Sequence, residues 1–424
     1  MTPRHFILTP VGSSGDVHPF VGIGRALRAR GHDVTLITAE PFRLVSERAG
    51  LVFAPTHSAA EFDRLSSHSD LWHPQKGLRL ILQTAARALR IEYARLEEHY
   101  VPGRSTVVGH TLAFAARVFE ERHNAPAATL QLAPSIFRTL YRQPVHLLGH
   151  DSTSYPRWLK RVFWWTIDRA FIDPQLAPAL NRFRRELGLR PVSRLFREWL
   201  HSPQRVIGLF PDWFAPPQPD WPPQLRLTGF PRYDEADQHA VSPALDTFLR
   251  DGDPPLLFTP GSANRAAAAF LRAAADAAIR MNRRALLLTR YEEQVPASLP
   301  PSVRHEPYVP FSLVLPRCAA IVHHGGIGTC AQGLAAGIPQ LVMPLGFDQP
   351  DNAARLERLG VAAAIAPARF TPDRLAEVLG ALVSSSAVAA RCRRWADAIR
   401  ASNPVDDTCA LLEEVAATPP AAAS

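Results

Sequence analysis

Short apolar runs recur along the chain, each closed by a glycine or proline turn and followed by a segment with the 3.6-residue period of a helix. The run "HFILTP" (5–10) predicts a buried strand. The next segment, 17–30, places Val17, Phe20, Val21, Gly24 and Leu27 on one helical face. Further strands are predicted at "HDVTLIT" (32–38), "LVFAP" (51–55), "TVVGH" (106–110), "AATLQL" (127–132) and "RVIGLF" (205–210). The stretch 211–231, crowded with prolines and aromatics, predicts a long ordered loop leading to a linker. Alternation then restarts with "PLLFTPGS" (255–262), "RALLLT" (284–289), "CAAIVHH" (318–324), "PQLVMP" (339–344) and "VAAAI" (361–365).

Strands alternating with helices predict parallel sheets covered on both faces. The expected architecture is α/β: two Rossmann-like domains, 1–230 and 231–424, facing across a cleft, with the last helices packing back toward the first domain. Ligands of such sheets bind beyond the carboxyl ends of the strands. The tail 419–424 is expected to fray.

Composition changes this picture little. Of 424 residues, 46% are hydrophobic and 20% charged, which fits a globular chain with large cores and excludes a disordered one. The net charge of +8 comes mostly from arginine; it favours anionic ligands or an acidic membrane surface, and a GC-rich genome produces the same bias. No nucleic-acid partner is expected. Cys318, Cys330, Cys392 and Cys409 have neither C-x-x-C nor zinc spacing, as in a reduced cytoplasmic protein. The start shows no secretory-signal pattern, and no 18-residue apolar run crosses a membrane.

Two loops carry candidate chemistry. The first, "TPVGSSGDVHPF" (9–20), is glycine-rich but is neither G-x-G-x-x-G nor a P-loop. Asp16 falls at the helix start, where a dinucleotide's pyrophosphate would compete with it for the same dipole. This argues against a nicotinamide dehydrogenase, although Glu40 ends the second strand where a ribose-binding acid would stand. Asp16 reads as the N-cap of a helix beginning at Val17 or as a general base at a strand end. His18 is the other candidate base, because histidine titrates near neutral pH. The second loop, "HHGGIGTCA" (323–331), is a strand end turning through glycines into a helix, a geometry that aims unpaired N–H groups at a phosphate. His323 reads there as a plain strand cap. A D-x-D at 251–253 reads as a turn rather than a metal site.

The stretches "GSSGDVHPFVGIGRALRARGHDVTLIT", "TGFPRYD" and "HHGGIGTCAQGLAAGIPQLVMPLGFDQPDNAARLERLG" resemble the GT-B-fold family 1 glycosyltransferases, which use nucleotide-sugar donors. The "GD" of the first loop is closer to the sterol and bacterial natural-product branch than to the plant branch. Residues 201–222 are similar to the rhamnosyltransferases that form rhamnolipids. The resemblance implies that His324, Gly325, Gly326, Gly328 and Thr329, with Ser262, surround the donor diphosphate. It implies that Tyr308 and Val309 flank the base, with Tyr where the plant motif has Trp, and that Asp348, Gln349 and Asn352 read the sugar. Asp16 aligns with the proposed base of the "GD" branch.

The implied reaction is inverting transfer of a hexose or deoxyhexose, of dTDP-rhamnose or UDP-glucose type, to a hydroxyl of a hydrophobic acceptor: a hydroxy-fatty-acid lipid, a sterol or a terpenoid. No cofactor or metal is expected. The segment 155–171 puts Trp158, Val162 and Trp165 on one helical face beside Arg157, Lys160, Arg161 and Arg169. It reads as an acceptor surface, as an interfacial helix giving peripheral contact with the cytoplasmic membrane face, or as a core helix with a basic outer face. His110, ending "TVVGH", is the next candidate base. The alternatives in other classes are a nucleotide-sugar epimerase on the same fold and a non-catalytic donor-binding subunit.

Overall fold

The structure is a computed structural model that describes residues 2–73, 76–145, 153–262 and 264–418; the tail 419–424 lies outside the described residues. The chain forms two compact units. The first takes in the chain to Gly12, Asp16–Pro231 and the stretch from Asn403 onward; the second is built on Arg232–Ser402.

The first unit holds a seven-stranded, all-parallel sheet of β1 (His5–Thr9), β2 (Asp33–Thr38), β3 (Val52–Pro55), β4 (Ser105–His110), β5 (Ala127–Gln131), β6 (Val206–Gly208) and β7 (Leu225–Leu227). Its order is β3-β2-β1-β4-β5-β6-β7. The central strands β4 and β5 are buried at every position, because helices cover both faces. Leu82, Leu89 and Tyr93 of the helix Lys76–His99 pack with Phe114, Val118 and Phe119 of Phe114–His123.

The second unit repeats the plan with β8 (Leu256–Thr259), β9 (Ala285–Leu288), β10 (Val303–Glu306), β11 (Ala320–His323), β12 (Gln340–Val342) and β13 (Ala362–Ala364), ordered β10-β9-β8-β11-β12-β13 and all parallel. Its core is rich in alanine along the helix Ala268–Arg280, which lets that helix lie close on the sheet.

Two expectations need correcting. The proline-rich stretch 211–231 is not all loop: Leu225–Leu227 pairs with β6 as an edge strand. The first helix runs Ser14–Ala29, so Asp16 lies inside its first turn and does not cap a helix beginning at Val17. Of the last three helices, Pro404–Ala417 falls in the first unit, and Pro372–Ser384 and Ser386–Arg400 in the second. That final helix is held by Arg30, which pairs with Asp406 (2.8 Å) and Glu413 (2.9 Å), and by a buried Thr228–Thr408 hydroxyl bond of 2.9 Å.

Candidate active site

Each sheet reverses its strand order once, between β1 and β4 in the first unit and between β8 and β11 in the second. Loops leaving the strands diverge there, which opens a crevice at the carboxyl ends. The candidate residues collect at these two points. Asp16 follows β1 and His110 ends β4; Gly261 and Ser262 follow β8, and His324 follows β11.

In the first unit the Asp16 carboxylate leans back over Gly12. A Cβ at Gly12 would stand 2.2 Å from Asp16 Oδ2, and Gly12 has φ +139°, so both the bend and the carboxylate require glycine. His110 Nε2 lies 3.9 Å from Asp16 Oδ1. The His110 ring is buried edge-on against Phe20, and burial pushes its pKa down to about 3, so the imidazole is neutral at neutral pH. The Asp16 side chain keeps 34% of its exposure, which leaves the carboxylate approachable. His18 is two positions further along the helix, roughly 200° around it, and residues so spaced do not face each other. The structure brings His110 to Asp16. Strand adjacency across 94 residues left no local signal of this pairing.

In the second unit, β11 passes through His324, Gly325 and Gly326 into the helix Ile327–Ala336, whose first turn includes Gly328 and Thr329. No side chain caps that helix, and its first turn carries no acidic residue. Its leading N–H groups and positive dipole end are thus open to an anion. At the first-unit helix the equivalent end already carries Asp16.

The turn is locked at one residue, through the peptides on either side of it. Gly325, at φ +95°, donates its N–H to His323 Nδ1 (3.1 Å), while its carbonyl accepts from Asn352 Nδ2 (3.0 Å). Because Nδ1 of His323 accepts, the ring proton sits on Nε2 and is donated to Gln340 Oε1 at 2.9 Å. Gln340 in turn donates to the Cys330 carbonyl (3.1 Å). Burial lowers the His323 pKa to about 3, which keeps this neutral tautomer. His323 is therefore a clamp on the whole turn and more than a strand cap. The doubled histidine was the visible signal, but its partner Gln340 lies on the neighbouring strand.

His324 lies against two glycines. A Cβ at Gly261 would come within 2.6 Å of its ring, and one at Gly326 within 2.8 Å. Burial lowers its pKa to about 4, and its buried Nδ1 meets no hydrogen-bonding group among the described residues. Ser262, next to Gly261 in sequence, is exposed, with its carbonyl accepting from the Tyr291 hydroxyl (3.3 Å).

The acidic-amide pair divides its work. Asp348 is half-buried, and its Oδ2 accepts from Asn352 Nδ2 at 2.7 Å. Gln349 and Asn352, expected to read a sugar, are turned inward: Gln349 is 3% exposed and its Oε1 accepts from the N–H groups of Leu345 (2.7 Å) and Gly346 (3.1 Å), while Asn352 is fully buried. Both hold backbone. Tyr308 is also more enclosed than a stacking platform, with the Arg290 guanidinium 5.2 Å from its ring centroid, His239 edge-on at 5.1 Å and its hydroxyl donating to the Asp234 carbonyl (2.9 Å). Val309 is buried beside it in sequence. The aspartates of 251–253 form the expected turn, with Gly252 at φ +97° and Arg284 donating to the carbonyls of Asp251 and Asp253. Trp158 and Trp165, read as acceptor contacts, are 66% and 56% exposed and line no enclosed pocket among the described residues.

Comparison with known proteins adds the family. Residues 6–134 match the glycosyltransferase family 28 N-terminal domain, and residues 276–414 match the erythromycin biosynthesis protein CIII-like C-terminal domain. O-mycaminosyltylonolide 6-deoxyallosyltransferase of Streptomyces fradiae is 33% identical over 433 residues, covering 97% of each chain. The chain belongs to the GT-B-fold family 1 glycosyltransferases. Solved structures share the fold. The glycotransferase of kitacinnamycin matches 98% of this glycosyltransferase and all of its own chain, with a TM-score of 0.76 at 22% identity. The glycosyltransferase VinC in complex with dTDP matches 97% of this chain and 99% of its own, at 0.67 and 21%.

Proposed function

We propose that this glycosyltransferase transfers a hexose, most simply a 6-deoxyhexose, with inversion from a dTDP- or UDP-linked donor to a hydroxyl of a hydrophobic natural product, without a metal. The observation that carries the reading is the contrast between the two switch points: one helix start carries its own carboxylate, while the other is an uncapped, locked glycine turn beside His324. An anion fits the second and a base fits the first. The dTDP complex of the fold relative supports a nucleoside diphosphate, and the name of the Streptomyces fradiae relative supports a deoxyhexose.

In this mechanism the acceptor hydroxyl gives its proton to the Asp16 carboxylate as its oxygen attacks the anomeric carbon from the face opposite the leaving group. The anomeric C–O bond breaks, and its electron pair leaves with the nucleoside diphosphate. The N–H groups at Ile327–Thr329 and a ring N–H of His324 stabilise that developing charge, which is the work a cation would otherwise do. His110, neutral and packed behind Asp16, restrains the carboxylate without competing for the proton.

The test is a panel of dTDP- and UDP-sugars with polyketide, sterol and hydroxy-fatty-acid alcohols, run in chelator. Nucleoside diphosphate release that depends on the acceptor is expected. Conversion of the donor without any acceptor would instead make the protein an epimerase, and a strict requirement for added Mg²⁺ would reject the metal-free mechanism.

A further inference from the structure

The segment from Tyr155 to Phe171 is built inside out. In the helix Arg157–Ile167 and the turn that follows it, the buried positions are Lys160, Trp164, Asp168 and Ile172, spaced four apart as one stripe. Two of the four are charged. Lys160 Nζ donates to the carbonyls of Tyr141 (2.7 Å) and Thr153 (3.0 Å), and Asp168 pairs with Arg138. The opposite side carries Tyr155, Trp158, Leu159, Val162 and Trp165, and Phe163 and Phe171 are exposed beside them, all at 38–66% exposure. An amphipathic helix of a globular protein buries its apolar face; this one buries Lys160 and Asp168 with only Trp164 and Ile172 and shows most of its aromatic and aliphatic side chains. Half of the large hydrophobic side chains exposed anywhere among the described residues lie in this one segment.

The charges decide the occupant. Arg157, Arg161 and Arg169 are exposed along the segment, and its only acidic residue between 153 and 172 is the buried, paired Asp168. A second copy of the chain would set this positive, aromatic face against itself. A small acceptor is too short, since sixteen residues of helix extend about 24 Å. Tryptophan, tyrosine and arginine around an aliphatic strip match the boundary between headgroups and acyl chains of an anionic bilayer. No single helix among the described residues is long and apolar enough to cross a membrane, so contact through this face is lateral.

We propose that the outer face of 155–171 seats the protein on an anionic phospholipid surface. The full-length protein should co-sediment with 7:3 phosphatidylcholine–phosphatidylglycerol vesicles about tenfold more strongly than with phosphatidylcholine alone, and raised salt should remove the difference. The double variant Trp158→Ser/Trp165→Ser should lower partitioning to both vesicles about tenfold or more. Arg157→Gln/Arg161→Gln should lower only the phosphatidylglycerol-dependent part, by about fivefold per charge. Melting temperatures are compared alongside, and a measurement on the unmodified protein stands apart from any folding defect: vesicles with brominated acyl chains should quench its tryptophan fluorescence. Equal binding to both lipids, absence of quenching, or a dimer in sedimentation velocity that the tryptophan variant abolishes would overturn the proposal, the last in favour of a second copy.

Discussion

At Asp16 two requirements meet: an acid in the first helical turn gains from the dipole, and a base needs an approachable oxygen. The structure satisfies both by folding the carboxylate over Gly12, where no Cβ is tolerated, with the buried His110 imidazole 3.9 Å behind it. Asp16→Asn keeps the shape and loses the charge. Stability should fall by only ~0.3–1 kcal/mol, the worth of an anion at a helix start. Turnover should drop ~10²–10⁴-fold, the usual contribution of a positioned base. His110→Gln should cost about tenfold in kcat with KM for the donor unchanged, and His18→Ala less than either. Initial rates with a transferred substrate, next to thermal melts, separate these effects. Normal transfer by Asp16→Asn with loss in His18→Ala would move the base to the histidine.

The glycine turn after β11 works at the scale of an element, because its parts come from β8, β11, β12 and two helices. Gly325 is fixed at its N–H by His323 and at its carbonyl by Asn352, so the helix start at Ile327 points one way. His324 has its place only because Gly261, on the loop after β8, has no side chain. Gly261→Ala should therefore mimic His324→Ala. Each should weaken binding of free dTDP or UDP by ~1.5–3 kcal/mol, the worth of a hydrogen bond to a charged group, and calorimetry reads both. If His324→Ala binds normally, the histidine does not touch the diphosphate. If only Gly261→Ala binds normally, the close packing of ring on glycine is not what positions it.

Legibility followed the same scale. The strands buried on both faces were plain in the sequence because they are continuous apolar runs, whereas β7 ("LRL") and β10 ("VRHE") lie at sheet edges, are half-exposed and carry no such pattern. The glycines and histidines of 323–326 announced a turn. What they could not announce was direction: that His323 faces inward to Gln340, and that Asn352 and Gln349 hold backbone. Those facts depend on which strand lies beside which, and one sequence does not encode that locally.

For the molecule as a whole, burial of neutral imidazoles sets how stability responds to acid. In the first unit His110 and His201 are pushed down to about 3 and about 4, and in the second His323 and His324 to about 3 and about 4, all chiefly by desolvation. In the unfolded chain histidine takes up its proton near pH 6.5, so between about 6.5 and 3 the unfolded state binds more protons than the folded one. Stability is then fully present above about 6.5 and lost as pH falls through that window, at up to ~1.4 kcal/mol per pH unit per site. Both units carry such sites, so both should lose stability together on acidification. Glu92, buried in the helix Lys76–His99 and raised to about 8, acts with the opposite sign. Its unfolded carboxyl ionises near 4.5 while the folded one stays protonated, so its burial costs progressively more as pH rises from about 4.5 to 8. Glu92→Gln, which resembles the protonated acid, should raise the melting temperature at pH 8 and change it little at pH 5. Melts of the two proteins at those pH values decide the matter, because a mere packing effect would shift both by the same amount.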